Sequence, residues 1–201
     1  MGGTRERAIA RGPFGRVDPR DFAAPPNVVS LARIALVPVV LALLAAGARP
    51  GAALLIVVAA ASDGLDGALA RKTGRVTELG KILDPLADKI AVDVVLLALL
   101  LRGEFPGWAF ALVVARDLGI GAGALVLAGR TSSVPQAIVS GKVALVLLSA
   151  MVLAYAADLR ALEPIFLVLG MAGVVVSGGA YAVVLRRGLR KQTAAVGQSN
   201  V

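Results

Sequence analysis

Long apolar stretches alternate with short polar breaks along most of the chain. Six apolar stretches lie at about residues 28–46, 51–71, 77–101, 106–128, 135–157 and 164–185. Each is close to the roughly 20 residues that an α-helix needs to cross the hydrocarbon core of a membrane. The breaks between them carry glycine, proline or basic residues, which are typical of helix ends. The pattern predicts an all-α integral membrane protein with six transmembrane helices.

The composition agrees with this fold class and narrows the possible chemistry. Of the 201 residues, 58% are hydrophobic and only 17% are charged, against about 25% charged residues in a soluble domain. The sequence contains no cysteine and no histidine. Disulfides, thiol nucleophiles, thiolate metal sites and histidine bases are therefore excluded, and any chemistry depends on carboxylates, hydroxyls, Lys and Arg.

The distribution of basic residues predicts the orientation in the membrane. If the N-terminus is cytoplasmic, only Arg49, Arg102 and Arg160 among the basic residues of the loops and tails lie on the opposite side. This asymmetry favours both termini in the cytoplasm. The net charge of +8 is then explained by cytoplasmic loops that contact anionic lipids and substrates. We expect no nucleic acid partner. We expect a basic N-terminal segment over 1–26 that can form an interfacial helix, a six-helix domain over 27–187 and a flexible tail over 188–201.

The hairpin formed by the second and third stretches concentrates acidic residues in an otherwise apolar region. Asp63 and Asp66 are three residues apart, and Asp84 and Asp88 are four apart. Both spacings place the two members of a pair on one face of a helix. The short loop makes the two helices antiparallel neighbours, so the two pairs can converge. We expect this cluster near the cytoplasmic membrane surface.

Four carboxylates in close proximity require protons or cations to neutralise them. With oxygen ligands only, hard cations such as Mg²⁺, Mn²⁺ or Ca²⁺ are favoured. Two metal ions that share a carboxylate would suit phosphoryl transfer. Gly64, Gly67 and Gly80 leave room for a nucleotide, and Arg71 can hold a phosphate. The simpler alternative is that the carboxylates only form ion pairs with Lys81 and Lys89.

The hairpin resembles the signature of the CDP-alcohol phosphotransferase family, D-x-x-D-G-x-x-A-R-x8-G-x-x-x-D-x-x-x-D. The chain matches every fixed position, namely Asp63, Asp66, Gly67, Ala70, Arg71, Gly80, Asp84 and Asp88. Pro26-Asn27, followed by Ser30 and Arg33 at the start of the first stretch, extends the resemblance. A six-helix fold with cytoplasmic termini also agrees with this family.

The resemblance implies a phosphatidyltransferase of phospholipid synthesis that uses CDP-diacylglycerol and releases CMP. It implies Asp63, Asp66, Asp84 and Asp88 as ligands of Mg²⁺ or Mn²⁺, with two ions in the family pattern and with Asp88 also acting as the general base. It implies contacts to the CDP-lipid from Gly67, Arg71 and Thr77, and from Asn27 and Ser30. It further implies a homodimer in the plasma (inner) membrane of a bacterium, with the active site facing the cytoplasm.

The acceptor alcohol is less well determined by the sequence. Arg116 and Lys142 are candidates for binding an acceptor phosphate, although both can instead extend to the membrane interface. The motifs look most like those of phosphatidylglycerophosphate synthases, which makes glycerol 3-phosphate the expected acceptor. Those enzymes usually have a second Lys and a Thr where this chain has Ala144 and Leu145. Phosphatidylglycerol, as in cardiolipin synthases, and inositol phosphate therefore stay open.

Two other classes also use acidic residues in membranes. Prenyltransferases bind a diphosphate through aspartate-rich motifs and Mg²⁺, but their two motifs lie far apart in the chain. A divalent-cation transporter needs carboxylates near the membrane midplane, and Arg71 and Lys72 would repel its cation. Outside the hairpin, we interpret Asp93 as an intrahelical partner of Lys89. The glycines at 119, 121, 123, 170 and 173 are expected at close helix contacts.

Overall fold

The computed structural model describes the backbone of residues 25–73, 80–128 and 139–198. It describes side chains at residues 27–62, 86–124, 126 and 139–188. The described backbone is all-helical, which confirms the predicted fold class. The helices are α1 (Pro25–Ala45), α2 (Arg49–Thr73), α3 (Gly80–Leu101), α4 (Gly107–Ala128), α5 (Val139–Ala156) and α6 (Glu163–Gln198).

The helix boundaries follow the apolar pattern closely except at the end of α6. The apolar stretch ends near residue 185, whereas α6 continues to Gln198 through most of the segment that was expected to be a flexible tail. Residues 189–195 are mainly Leu, Arg, Lys, Gln and Ala, which are good helix formers. The end of an apolar stretch therefore does not mark the end of a helix when the residues that follow have high helix propensity.

Four of the described helices are long and apolar enough to cross a membrane. These segments are Asn27–Ala45, Gly107–Ala124, Val139–Ala156 and Glu163–Gly188. In α2 the described side chains form a shorter apolar segment, Arg49–Ser62, and Asp63 and Asp66 follow it in the sequence. Charged residues also interrupt the first half of α3. The two helices that carry the predicted site thus combine apolar segments with charged residues, and a total of six spans stays a prediction.

Three helices end at the same side of the bundle with the same left-handed turn. Gly47 after α1 and Gly103 after α3 have φ values of 73° and 71°, and Asp158 after α5 has a φ of 55°. After α1, the Ala48 amide donates to the Leu43 carbonyl at 2.8 Å, as in a Schellman motif. Aspartate tolerates this left-handed conformation better than most residues with a side chain. Each chain reversal therefore satisfies carbonyls that the helix end leaves without a partner.

Arg49 joins the connections at this side of the bundle. Its guanidinium donates to Glu104 at 2.5 Å and to the Tyr155 carbonyl at 3.2 Å. Phe105 packs edge-on against the Tyr155 ring, with ring centroids 4.9 Å apart. These contacts tie the start of α2 to the α3–α4 connection and to the end of α5. The predicted site lies toward the other end of the bundle, at the C-terminal part of α2 and the N-terminal part of α3.

Helices α5 and α6 approach closely because small residues lie between them. A Cβ atom at Gly173 would lie 3.2 Å from the Ala144 Cα, and one at Gly170 would lie 2.9 Å from the Met151 sulfur. Gly123 is similarly close to Leu185 in α6. These positions confirm the expected close contacts. For Gly119 and Gly121 the expectation is wrong, because a Cβ there would meet nothing within 4 Å.

Replacing Gly173 with valine is expected to lower the free energy of unfolding by about 1–3 kcal/mol, a typical cost of overpacking. Valine has a higher helix propensity than glycine, so a loss of stability must come from contact with α5. Thermal unfolding in detergent measures the change. Gly121→Val is the matched control, since its side chain enters open space. Equal melting temperatures for the two variants would contradict the close contact between α5 and α6.

Candidate active site

A row of polar side chains on α1 faces the interior of the bundle. Asn27, Ser30 and Arg33 are all buried and follow one another at intervals of three residues. This spacing keeps them on one side of the helix. Polar groups in a membrane segment are costly unless they face the bundle interior and find partners there. The first two were predicted to contact the CDP-lipid, and the structure places them on the same face as Arg33.

Arg33 forms an ion pair with Asp88, the predicted general base. Arg33 Nη1 donates to Asp88 Oδ1, and the two side chains are 7% and 15% exposed. The pair connects α1 to α3 across the bundle. The charge of each side chain therefore offsets part of the desolvation of the other.

A cavity of about 530 Å³ lies between α1, α2, α3 and α5. Arg33 and Asp88 are the first residues of α1 and α3 to line it, so its charged groups lie at one end. The rest of the lining is almost entirely apolar, for example Leu36, Ile56 and Leu145. Consecutive helices joined by short connections run antiparallel. The charged end of the cavity therefore points toward the C-terminal half of α2.

The other predicted ligands lie near this charged end along the chain. Asp63 and Asp66 follow Ala61, a residue that lines the cavity, on the same helix α2. Asp84 is one turn before Asp88 on α3. The side chains of Asp63, Asp66, Gly67, Arg71 and Asp84 fall outside the described residues, as does Thr77 entirely. Asp88 is the one predicted ligand among the described side chains, and these side chains contain no group of three possible metal ligands.

A second, partly buried charge cluster joins α3, α4 and α6. Asp117 Oδ1 accepts a hydrogen bond from Arg116 Nη1 at 2.7 Å and lies 3.3 Å from Lys89 Nζ. Arg116 Nη2 donates to the Ser177 hydroxyl at 2.7 Å. Lys89 thus pairs with another helix, and its expected pairing with Asp93 in its own helix is wrong. The reason is that α4 packs against α3 and brings Asp117 within reach.

The two predicted acceptor cations have different surroundings. Arg116 is 8% exposed and is held by Asp117 and Ser177. Lys142 is exposed in the first turn of α5. The ion pair of Arg33 with Asp88 and the role of Asp117 were not identified from the sequence. Their signal was present, however, since Arg33 and the Arg116-Asp117 dipeptide are charged groups within apolar stretches.

Comparison with known proteins gives one family and several relatives. Residues 23–177 match the family model described as CDP-alcohol phosphatidyltransferase. The chain is 35% identical over 133 residues to the CDP-diacylglycerol–glycerol-3-phosphate 3-phosphatidyltransferase of Bacillus subtilis strain 168, covering 59% of this chain and 68% of that protein. It is 40% identical over 95 residues to the protein of the same name from Rickettsia bellii, covering 46% and 52%.

A relative with a different acceptor in its name has similar identity. The cardiolipin synthase (CMP-forming) of Streptomyces coelicolor is 36% identical over 98 residues, covering 46% of both proteins. The match thus spans about two thirds of the Bacillus protein and about half the length of the other two relatives.

Proposed function

Because the chain belongs to the CDP-alcohol phosphatidyltransferase family, we propose that it transfers a phosphatidyl group from CDP-diacylglycerol to glycerol 3-phosphate and releases CMP. The observation that carries this proposal is the cavity between α1, α2, α3 and α5. A carboxylate, that of Asp88, lies at one end, and an apolar chamber extends from it. This arrangement suits a lipid whose phosphate reacts at the charged end while an acyl chain occupies the apolar part.

The chain's own residues supply the proton transfer and the donor contacts. Asp88 would take the proton of the acceptor hydroxyl, whose oxygen then forms a bond to the phosphorus of the phosphatidyl group. The bond from that phosphorus to the oxygen shared with CMP breaks, and CMP leaves with the electron pair. Residues proposed to hold the CDP-lipid are Asn27, Ser30, Gly67, Arg71 and Thr77.

The predicted metal site is compatible with the described residues. Asp88 offers an anionic oxygen, the donor type that Mg²⁺ and Mn²⁺ prefer, at the end of the cavity toward which α2 carries its acidic pair. Asp63, Asp66, Asp84 and Asp88 would together hold two ions. When bound, the ions would stabilise negative charge on the transferred phosphoryl group. Lys89 does not compete for this site, since it pairs with Asp117.

Glycerol 3-phosphate is the acceptor named for the Bacillus and Rickettsia relatives. Arg116 and Lys142 would bind its phosphate. A second candidate function, cardiolipin synthesis with phosphatidylglycerol as the acceptor, is favoured by the Streptomyces relative. Both candidates share the donor, the base and the released CMP, so they differ only in the second substrate. Inositol phosphate is a further acceptor to be tested.

We propose a six-span arrangement with both termini in the cytoplasm and the active site facing the cytoplasm. Four apolar helices and the excess of basic residues at one side support it. The bacterial origin of the relatives supports a bacterial plasma membrane. A homodimer is proposed from the family resemblance.

The experiment is an assay of CMP release by the purified full-length protein in detergent with CDP-diacylglycerol and Mg²⁺. The acceptors are supplied one at a time, and a reaction without any acceptor is the control. They are glycerol 3-phosphate, phosphatidylglycerol and inositol phosphate. We expect release that depends on glycerol 3-phosphate and is lost on chelation of the metal. If phosphatidylglycerol is the one acceptor that supports CMP release, the chain is instead assigned as a cardiolipin synthase. If no acceptor supports release, the transferase proposal fails, and cation flux into proteoliposomes tests the transporter alternative.

A further inference from the structure

Two adjacent residues of α3 are tied to helices on different sides of it. Asp88 pairs with Arg33 of α1, and Lys89 pairs with Asp117 of α4. We refer to Arg33, Asp88, Lys89 and Asp117 as the α3 clamp. We propose that Asp117 is a positioning residue that acts through Lys89 to fix the rotation of α3 and thereby aims Asp88. This proposal rests on the proposed transferase function.

The geometry of a helix explains why two attachments are needed. Successive side chains project about 100° apart around the axis, since a turn contains 3.6 residues. Core packing holds the C-terminal half of α3, but near Asp88 a single ion pair would let the helix turn as far as Arg33 can follow. A second ion pair at Lys89, directed to another helix, opposes that rotation. Asp84 lies one turn before Asp88, so any rotation of α3 would displace both carboxylates together.

Asp117 is well suited to act as the fixed end of this contact. Its carboxylate is 9% exposed and also accepts from Arg116, which is 8% exposed. Arg116 in turn donates to the hydroxyl of Ser177, which is fully buried on α6. The carboxylate is therefore held by α4 and α6 together, and Lys89 connects α3 to this rigid pair.

Asp93 shows that Lys89 has a choice of partner. It lies one turn after Lys89 on α3, a spacing at which Lys and Asp form ion pairs within a helix. Its Oδ1 atom is buried and has no hydrogen-bond partner among the described residues. Lys89 nevertheless pairs with Asp117. In Asp117→Asn, a neutral amide competes for Lys89 with the charged carboxylate of Asp93, so the ammonium turns to Asp93. The variant thus loses the contact between helices without leaving the partly buried ammonium unpaired.

The kinetic test compares Asp117→Asn, Lys89→Met and the double variant by CMP release. We expect kcat to fall by about 10- to 100-fold, as for a misplaced catalytic group, with the donor KM nearly unchanged. The double variant should be no slower than the single variants, because both remove the same contact. Asp93→Asn is the matched control on the same helix and should retain wild-type rates. Wild-type rates for Lys89→Met would overturn the proposal.

A second readout does not depend on activity. The chain has no cysteine, so single cysteines can report the rotation of α3. Leu86 is 50% exposed and Ala87 is fully buried, although the two are adjacent. In the Asp117→Asn background, Ala87→Cys should react faster with a small thiol reagent, and Leu86→Cys should react more slowly, than in the wild-type background.

The possible outcomes separate this proposal from the proposed function. If the wild type releases no CMP, the transferase assignment fails, while thiol labelling still tests the α3 clamp. Unchanged labelling in Asp117→Asn would overturn the clamp even in an active enzyme. A raised acceptor KM in Asp117→Asn, with a normal Lys89→Met, would also overturn it, because Asp117 would then serve only to hold Arg116.

Discussion

Asp88→Asn is expected to abolish CMP release while the helical bundle stays folded. The amide oxygen of asparagine can still accept a hydrogen bond from Arg33, so the link between α1 and α3 persists. An amide cannot take up the proton of an acceptor hydroxyl, and general-base catalysis typically contributes about 10²- to 10⁴-fold. The proposed role as a metal ligand is weakened by the same change. We therefore expect the rate of CMP release to fall by a factor at or beyond the upper end of this range.

Initial rates of CMP release and thermal unfolding should be measured on the same preparations. Asp93→Asn is the control, since it removes another acidic group of α3 that lies outside the proposed site. A titration with Mg²⁺ separates the two roles of Asp88. Recovery of full activity at high Mg²⁺ would show that Asp88 is a ligand only. A rate within a few-fold of the wild type at every concentration would remove it from the mechanism.

The helices could be predicted from the sequence because their signal is local. An apolar stretch of sufficient length, bounded by Gly, Pro or charge, gave α1 and α4 within a few residues of Pro25–Ala45 and Gly107–Ala128. The end of α6 could not be predicted this way. Hydropathy reports which residues leave the apolar environment, and it does not report whether a polar, helix-forming segment such as 189–198 continues the helix.

The site shows the same division between local and tertiary information. The acidic motif lies on one hairpin, so its spacing alone predicts which carboxylates share a face. The partners of Asp88 and Lys89 come from α1 and α4, at sequence separations that no periodicity constrains. For Lys89, local reasoning selected Asp93, whereas the packing of α4 against α3 supplies Asp117. Periodicity gives the faces of a helix but does not identify the helix that each face contacts.

The second large effect is expected for Arg33→Met, which removes the cation that faces Asp88. Loss of one partner of a buried ion pair costs about 3–5 kcal/mol, because the remaining charge stays desolvated. Asp88 is still 15% exposed, so we expect Arg33→Met to lower the free energy of unfolding by an amount near the lower end of that range. CMP release should also fall, since the carboxylate loses the contact that orients it at the end of the cavity.

The double variant Arg33→Met with Asp88→Asn makes this prediction specific. Replacement of both charges leaves neither member of this pair facing a missing partner, and such replacements are often neutral for stability. We therefore expect the double variant to unfold at a higher temperature than Arg33→Met alone, although it stays inactive. Arg33→Lys, which keeps the charge but only part of the hydrogen-bonding geometry, should lie between Arg33→Met and the wild type in both measurements. A double variant that is less stable than Arg33→Met would contradict this explanation. The stability lost in Arg33→Met would then come from packing of the Arg33 side chain and not from its pairing with Asp88.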